Sequence, residues 1–205
     1  MGGKCKQAKT LSDVQLRSVL SYVAHSRRNR ERDRVIVLLS FMAGLRAIEI
    51  ASLTWAMVTD SAGEVAESLA LTNHASKGKG GGRAIALHPS LRAALVTLHA
   101  RPDLNTAPDA PVVYSERCDA MSAATVVNWF DRTYRALGIQ GASSHSGRRT
   151  FVTKIAKRAV EAGGSLRDVQ QLAGHASLTT TQRYIEGDSE AKSKMISMIY
   201  GRIDL

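Results

Sequence analysis

Five side chains of this sequence have the types and the order that phosphate chemistry requires. His145 and Arg148 stand three positions apart (148 − 145 = 3), His175 follows a glycine, and Tyr184 comes nine positions later (184 − 175 = 9). Arg46 lies far upstream, in the stretch Gly-Leu-Arg-x-x-Glu. A protein that breaks a phosphodiester without a metal needs cations for the phosphate, a proton donor and acceptor, and a hydroxyl nucleophile. These five side chains include a candidate for each function.

The residue types also suggest individual roles. A guanidinium is planar and permanently charged, so arginine suits a phosphate. Glu49 lies three residues after Arg46 and could orient it. On a helix, His145 and Arg148 would share one face. A phenol has a pKa of about 10, so Tyr184 needs a base such as His145 in order to attack at neutral pH.

Four other tyrosines compete with Tyr184 as the nucleophile. Tyr22 and Tyr134 fall in predicted helices, and Tyr114 ends a short predicted strand. Tyr200, near the C-terminus, is the only serious rival.

The order and spacing of these residues resemble the tyrosine recombinase family, also called the phage integrase family. The resemblance runs from about Leu11 to about Glu186. It implies cleavage and rejoining of DNA through a 3′-phosphotyrosyl intermediate, with neither ATP nor a metal or other cofactor. The implied catalytic residues are Arg46, Lys77, His145, Arg148, His175 and Tyr184, with Glu49 supporting Arg46.

The general acid has two candidates. The family places a lysine on a mobile hairpin, where it protonates the leaving 5′ oxygen, and both Lys77 and Lys79 qualify. We prefer Lys77 because it is the first lysine after the incoming strand. The glycine run around them is not a Walker loop, because Arg83 follows Gly82 where that motif has a lysine.

Three other interpretations stay open at this stage. The chain could be a catalytically silent DNA-binding module of the same fold, or a DNA strand transferase like the type IB topoisomerases. It could also be a helix-turn-helix regulator in which the spacing is a coincidence. The Gly-His pair and the nine-residue spacing to the tyrosine favour a recombinase.

Charge favours double-stranded DNA as the partner. The net charge is +10, from 28 Lys and Arg against 18 Asp and Glu. Two stretches contain only basic charges: residues 77–101 (Lys77, Lys79, Arg83, Arg92, Arg101) and residues 132–158 (Arg132, Arg135, Arg148, Arg149, Lys154, Lys157, Arg158). Such clusters suit DNA phosphates. An aromatic content of 5% argues against a base-stacking single-strand binder.

Composition predicts a cytoplasmic, nucleoid-associated protein. The longest apolar run, residues 35–45, is too short to span a bilayer, and the N-terminus lacks the apolar segment of a signal peptide. Cys5 and Cys118 have no zinc-binding spacing and are expected to be free thiols.

The family pattern begins almost at once, so we expect an arm at residues 1–10 and a catalytic domain at residues 11–205. The helical DNA-binding domain that precedes it in typical members is not expected here. A predicted last helix, about residues 189–200, resembles the segment that relatives donate to a neighbouring protomer, which suggests self-association on DNA. Gly147 and Arg149 depart from the leucine and histidine of many members.

These residues must be positioned by elements that the sequence also predicts. The fold should be mainly α with a small antiparallel β-sheet, from strands at residues 66–72 and 83–87. Thr10 with Asp13 should cap the first helix, and residues 26–34 should form a solvated turn. A buried helix at residues 35–43 should end at Gly44, just before Arg46 and a short helix at residues 47–53.

Further helices follow the sheet. One is marked by apolar residues between positions 91 and 98, and Ser122 should cap the next. Ser144 should cap the helix that carries His145 and Arg148. Ser165 with Asp168 should cap another, ended by Gly174, and a short helix is expected at residues 178–185.

Overall fold

A computed structural model describes residues 8–26, 28–72, 82–117, 119–159, 161–182 and 184. Within these ranges the helices and strands are α1 (Asp13–Ala24), α2 (Arg30–Met42), α3 (Ala47–Ala51), β1 (Ser68–Leu71), β2 (Arg83–Ala86), α4 (Pro89–His99), α5 (Ala123–Ala136), α6 (Ser146–Arg158), α7 (Leu166–Ala173) and α8 (Leu178–Gln182), with a 3₁₀ turn at Trp55–Met57. The predicted fold class is confirmed. In the part of the chain so described, no helix is both long and apolar enough to cross a membrane.

Helix α2 is the centre of the main core. Its residues 35–39 are buried on every face, because α1, α4 and α6 all pack against it. Burial of each large aliphatic side chain contributes about 1.5–3 kcal/mol. The packing of α2 therefore fixes the position of the chain just before Arg46.

The predicted solvated turn at residues 26–34 is wrong in its second half. Helix α2 already begins at Arg30, and Arg32 and Asp33 are buried. Arg32 forms an ion pair with Asp33 (2.7 Å) and donates to the carbonyl of Tyr114 (2.8 Å). Charge density along the sequence was misleading here because these charges are satisfied inside the protein.

Two predicted N-caps are also wrong. Ser12 caps α1, because its hydroxyl accepts from the backbone N–H of Gln15 and the Gln15 side chain accepts from Ser12 in return. Thr10 lies two residues before this N-cap. At α6 the N-cap position is His145 rather than Ser144, and no side chain caps the helix. The predicted caps of α5 and α7 are confirmed.

Two glycines end helices next to the site. Gly44, just after α2, has φ 64° and Gly174, just after α7, has φ 58°, a left-handed conformation that suits glycine. A Cβ on Gly44 would overlap the ring of Phe151, so α6 passes close to the end of α2.

Strands β1 and β2 form an antiparallel pair in which Leu69 lies opposite Ile85, both buried. Lys77 and Lys79 fall between the strands, outside the described residues. The predicted helix at residues 189–200, Tyr200 and both cysteines also lie outside them.

Helices α6 and α7 share a second, smaller apolar cluster, formed by Val152, Ala156, Val169 and Ala173. Helix α6 is held against α2 through Gly147, where a Cβ would overlap Ser40 and Phe41. The departure from leucine at position 147 therefore has a packing reason. Arg149 donates to the carbonyl of Ala8 (2.7 Å), which ties the N-terminal stretch to α6.

Candidate active site

One buried carboxylate organises three arginines. Glu49, in α3, is fully buried. Its Oε1 accepts from Nη1 of Arg46 (3.0 Å) and Nη1 of Arg83 (3.0 Å), and its Oε2 accepts from Nη2 of Arg83 (3.1 Å). Nη1 of Arg148 lies 3.9 Å from Oε2. Three cations around one anion leave an excess of two positive charges (3 − 1 = 2).

The protonation of these groups follows from burial and neighbours. Burial works against ionisation of Glu49, but hydrogen bonds from Arg83 and from the backbone N–H of Arg46, with the charges of both, hold its pKa below the usual value. Burial, followed by the charge of Arg46, lowers the pKa of Arg148 to about 10. At neutral pH the carboxylate is ionised and Arg148 remains a cation.

Backbone carbonyls at helix ends hold two of the arginines. Nη1 of Arg148 donates to the carbonyl of Gly44 (2.6 Å), and its Nη2 donates to that of Ala173. Nη2 of Arg46 donates to the carbonyl of Gly174 (3.2 Å). The C-terminus of a helix carries partial negative charge, so the ends of α2 and α7 stabilise buried cations. Arg46 and Arg148 are thereby brought side by side.

Gly174 turns the chain so that His175 enters the site. The Nδ1 atom of His175 lies 3.0 Å from the hydroxyl of Thr181, which is buried. Burial, with the charges of Arg148, Arg46 and Arg83, lowers the pKa of His175 to about 4. His175 is therefore neutral at pH 7.

Tyr184 lies beside His175. The two rings stack with centroids 5.6 Å apart and planes at 20°. The backbone N–H of Tyr184 donates to the carbonyl of Thr181 (3.0 Å), and its ring packs on the cluster of α6 and α7. The phenol is close enough to Arg148 to interact with it electrostatically.

His145 occupies the N-cap position of α6, three residues before Arg148. It precedes the first turn of α6, and its side chain is exposed, whereas Arg148 is 5% exposed. The two residues therefore differ in burial, with His145 at the surface and Arg148 inside the protein. An exposed imidazole at this position is accessible to a ligand that approaches from solvent.

Sequence reasoning missed two residues of the site, Arg83 and Thr181. Arg83 carried a weak signal, a cation that begins a strand directly after the glycine run. Thr181 carried none, because it is one of three successive threonines. Lys77 and Lys79, the candidate acids, are not among the described residues.

The arrangement suits an anion. Its fixed charges are guanidinium groups, which bind oxyanions in two-point contacts. Among the described residues, no group of three or more His, Cys, Asp or Glu side chains could hold a metal ion.

Comparison with known proteins gives consistent matches. The sequence model of the Phage integrase family matches residues 9–190. Tyrosine recombinase XerC of Brucella suis biovar 1 (strain 1330) is 28% identical over 160 residues, which cover 78% of this chain and 47% of XerC. Tyrosine recombinase XerA of Pyrococcus furiosus is 29% identical over 181 residues, with coverages of 86% and 56%. The chain spans about half the length of the curated relatives it matches.

A solved structure shows the same fold. The Tn1549 transposon integrase, in complex with a circular intermediate DNA, aligns with a TM-score of 0.72 and 19% sequence identity. The alignment covers 97% of this chain and 68% of the integrase chain.

Proposed function

The chain belongs to the phage integrase family, and on that premise we propose that it is a site-specific recombinase. It would cleave and rejoin double-stranded DNA through a 3′-phosphotyrosyl intermediate. The observation that carries the proposal is the meeting of Arg46 and Arg148 at Glu49, next to His175 and Tyr184.

The two arginines would bind the scissile phosphate. A guanidinium has five N–H donors, and Arg148 uses two of them for backbone carbonyls. Donors therefore remain for phosphate oxygens. Because the helix ends fix their positions before DNA arrives, each arginine should supply about 3 kcal/mol of transition-state stabilisation.

The chemical step would be a transesterification. The Oη atom of Tyr184 attacks phosphorus, the bond from phosphorus to the 5′ oxygen breaks, and the phosphate becomes linked to the tyrosine. The phenol proton passes to a base, for which exposed His145 is the candidate. The leaving 5′ oxygen takes a proton from Lys77, with Lys79 as the alternative acid. A 5′ hydroxyl of another strand then reverses the step.

His175 would act as a neutral hydrogen-bond donor. If the hydroxyl of Thr181 donates to Nδ1, the proton of the imidazole is on Nε2. That N–H can donate to a phosphate oxygen without adding a charge.

The DNA partner is supported by the basic stretches of the sequence and by the DNA-bound Tn1549 integrase. We further propose that residues 11–205 form the catalytic domain behind an arm at residues 1–10. Copies would associate with one another on DNA. The protein would be located in the cytoplasm, associated with the nucleoid.

A nicked suicide substrate tests the proposal. The nick lets the short fragment that carries the new 5′ hydroxyl diffuse away after cleavage, so the covalent protein–DNA complex accumulates and is visible on a denaturing gel. Wild type should form the complex in EDTA, and Tyr184→Phe should form none, because it lacks the nucleophile but keeps the ring.

Other results would point elsewhere. DNA binding without a covalent complex in wild type would indicate a silent binding module. A complex that persists in Tyr184→Phe would place the nucleophile at another tyrosine. Relaxation of supercoiled DNA without strand exchange would indicate a topoisomerase.

A further inference from the structure

Arg83 is the third cation at Glu49, and none of the roles proposed above uses it. It is the first residue of β2. Its Nη1 and Nη2 donate to the two oxygens of Glu49 at 3.0 and 3.1 Å, so the contact is bidentate and uses both terminal nitrogens of the guanidinium. The side chain is 13% exposed, against 30% for Arg46. Arg83 is thus directed at the carboxylate, while Arg46 is more open to a ligand.

Arg83 also touches the turn after α7. A Cβ built on Gly174 would overlap the Arg83 guanidinium, so this arginine lies directly against the turn. The carbonyl of the same Gly174 accepts from Arg46, and His175 is the next residue. Arg83 therefore lies between the carboxylate that orients Arg46 and the turn that presents His175.

Glu49 needs more than one cation to serve as a support. A buried carboxylate is stable as an anion only when it is paired and hydrogen-bonded. Arg46 gives Glu49 one side-chain hydrogen bond and one backbone hydrogen bond. Arg83 supplies two more, on both oxygens, and so restricts rotation of the carboxylate.

We propose that Arg83 is a positioning residue for DNA cleavage, which fixes Glu49 so that Arg46 is aimed at the phosphate and fixes the turn that carries His175. Arg83 itself need not touch DNA. The inference rests on the proposed function, since it assumes that Arg46 and His175 act on a scissile phosphate.

The test compares Arg83→Met and Arg83→Lys with wild type in single-turnover cleavage of the nicked substrate at saturating DNA. Loss of positioning should slow covalent-complex formation on the order of 100-fold in Arg83→Met, while the Kd for DNA changes less than about threefold. Arg83→Lys should recover only part of the rate, because a point charge cannot contact both carboxylate oxygens. Arg30→Met is the matched control, since Arg30 is an exposed arginine that pairs with Glu31 (2.7 Å) and lies outside both basic stretches.

A second substrate separates positioning from general destabilisation. A scissile methylphosphonate replaces one charged oxygen by a methyl group, so it depends less on a well-aimed arginine. The ratio of wild-type to Arg83→Met rates should shrink at least about fivefold on this substrate. Part of the rate loss in Arg83→Met comes from poor alignment of Arg46 with the charged oxygen, and that oxygen is missing here.

Three results would overturn the inference. Equal rates for Arg83→Met and wild type would show that Arg83 is dispensable. An equal rate loss on both substrates, with a lowered Tm, would show a structural role only, and Arg83→Lys supplies the same comparison if Arg83→Met does not fold. Absence of a complex in wild type would instead overturn the proposed function, and this inference with it.

Discussion

His175 is the residue whose ionisation most depends on folding. Its imidazole is half-buried beside three guanidinium groups, and the pKa falls to about 4. In an unfolded chain the pKa of a histidine is about 6.5. Between about pH 4 and pH 6.5 the unfolded chain binds a proton at His175, whereas the folded protein does not. Stability from this residue is therefore complete above pH 6.5 and is lost as the pH falls towards 4.

We predict that the free energy of unfolding of wild type falls more steeply with acid than that of His175→Gln. Between pH 7.5 and pH 5 the additional loss should be about 1–2 kcal/mol, reduced from the full linkage value because the ring is only half-buried. Urea unfolding at the two pH values measures it. The same loss in both proteins would contradict the assigned ionisation of His175.

At the scale of elements, the packing of α6 on α2 decides where Arg148 lies. Gly147 immediately precedes Arg148, and its missing side chain allows Ser40 and Phe41 of α2 to approach the α6 backbone. A helix would ordinarily gain about 1 kcal/mol when glycine is replaced by alanine. Here the close approach should reverse that gain.

We predict that Gly147→Ala destabilises the protein by about 1–3 kcal/mol, because the added methyl group overpacks the contact between the helices. Chemical denaturation measures the change. A gain in stability would show that α6 can shift away from α2 without cost.

Ser40→Ala provides a matched control. The Ser40 hydroxyl is buried and has no hydrogen-bond partner among the described residues. Its removal alone should be nearly neutral, and combined with Gly147→Ala it should recover about 1 kcal/mol or more of the loss, since neighbouring sites couple. Strict additivity of the two substitutions would contradict a direct clash.

At the scale of the whole molecule, local contacts of the site could be predicted and distant ones could not. The support of Arg46 by Glu49 is encoded in a spacing of three residues, and the structure shows that contact. The contact of Arg83 with the same carboxylate joins positions 34 apart, and no periodicity reports it. The fold class followed from helix patterns and glycine stops, which are local signals.

Helix starts were less predictable because charge and capping residues are ambiguous in isolation. The sequence suggests that Arg32 and Asp33 are surface residues. In the structure both are buried, and Arg32 donates to the carbonyl of Tyr114, 82 positions away. Serine and threonine occur in clusters before α1 and α6, and tertiary packing selects which of them caps, or whether any does.

The net charge of +10 and the basic stretches of the sequence predict a strong dependence of DNA binding on salt. If about six phosphates are contacted, affinity should fall about 10³-fold between roughly 50 and 200 mM monovalent salt, because bound counterions are released. Fluorescence anisotropy with duplex DNA measures the slope. Tyr184→Phe should give the same slope, and affinity that is insensitive to salt would argue against a phosphate-based interface.

The seat of Arg148 is assembled from carbonyls 104 positions upstream and 25 positions downstream. Neither helix end holds Arg148 alone. A nascent or damaged copy in which the two ends have not come together therefore lacks a fixed Arg148 for binding a phosphodiester. If the chain is the proposed recombinase, DNA cleavage would therefore require that folding has first brought the ends of α2 and α7 together. An incompletely folded copy of such an enzyme would not cut DNA.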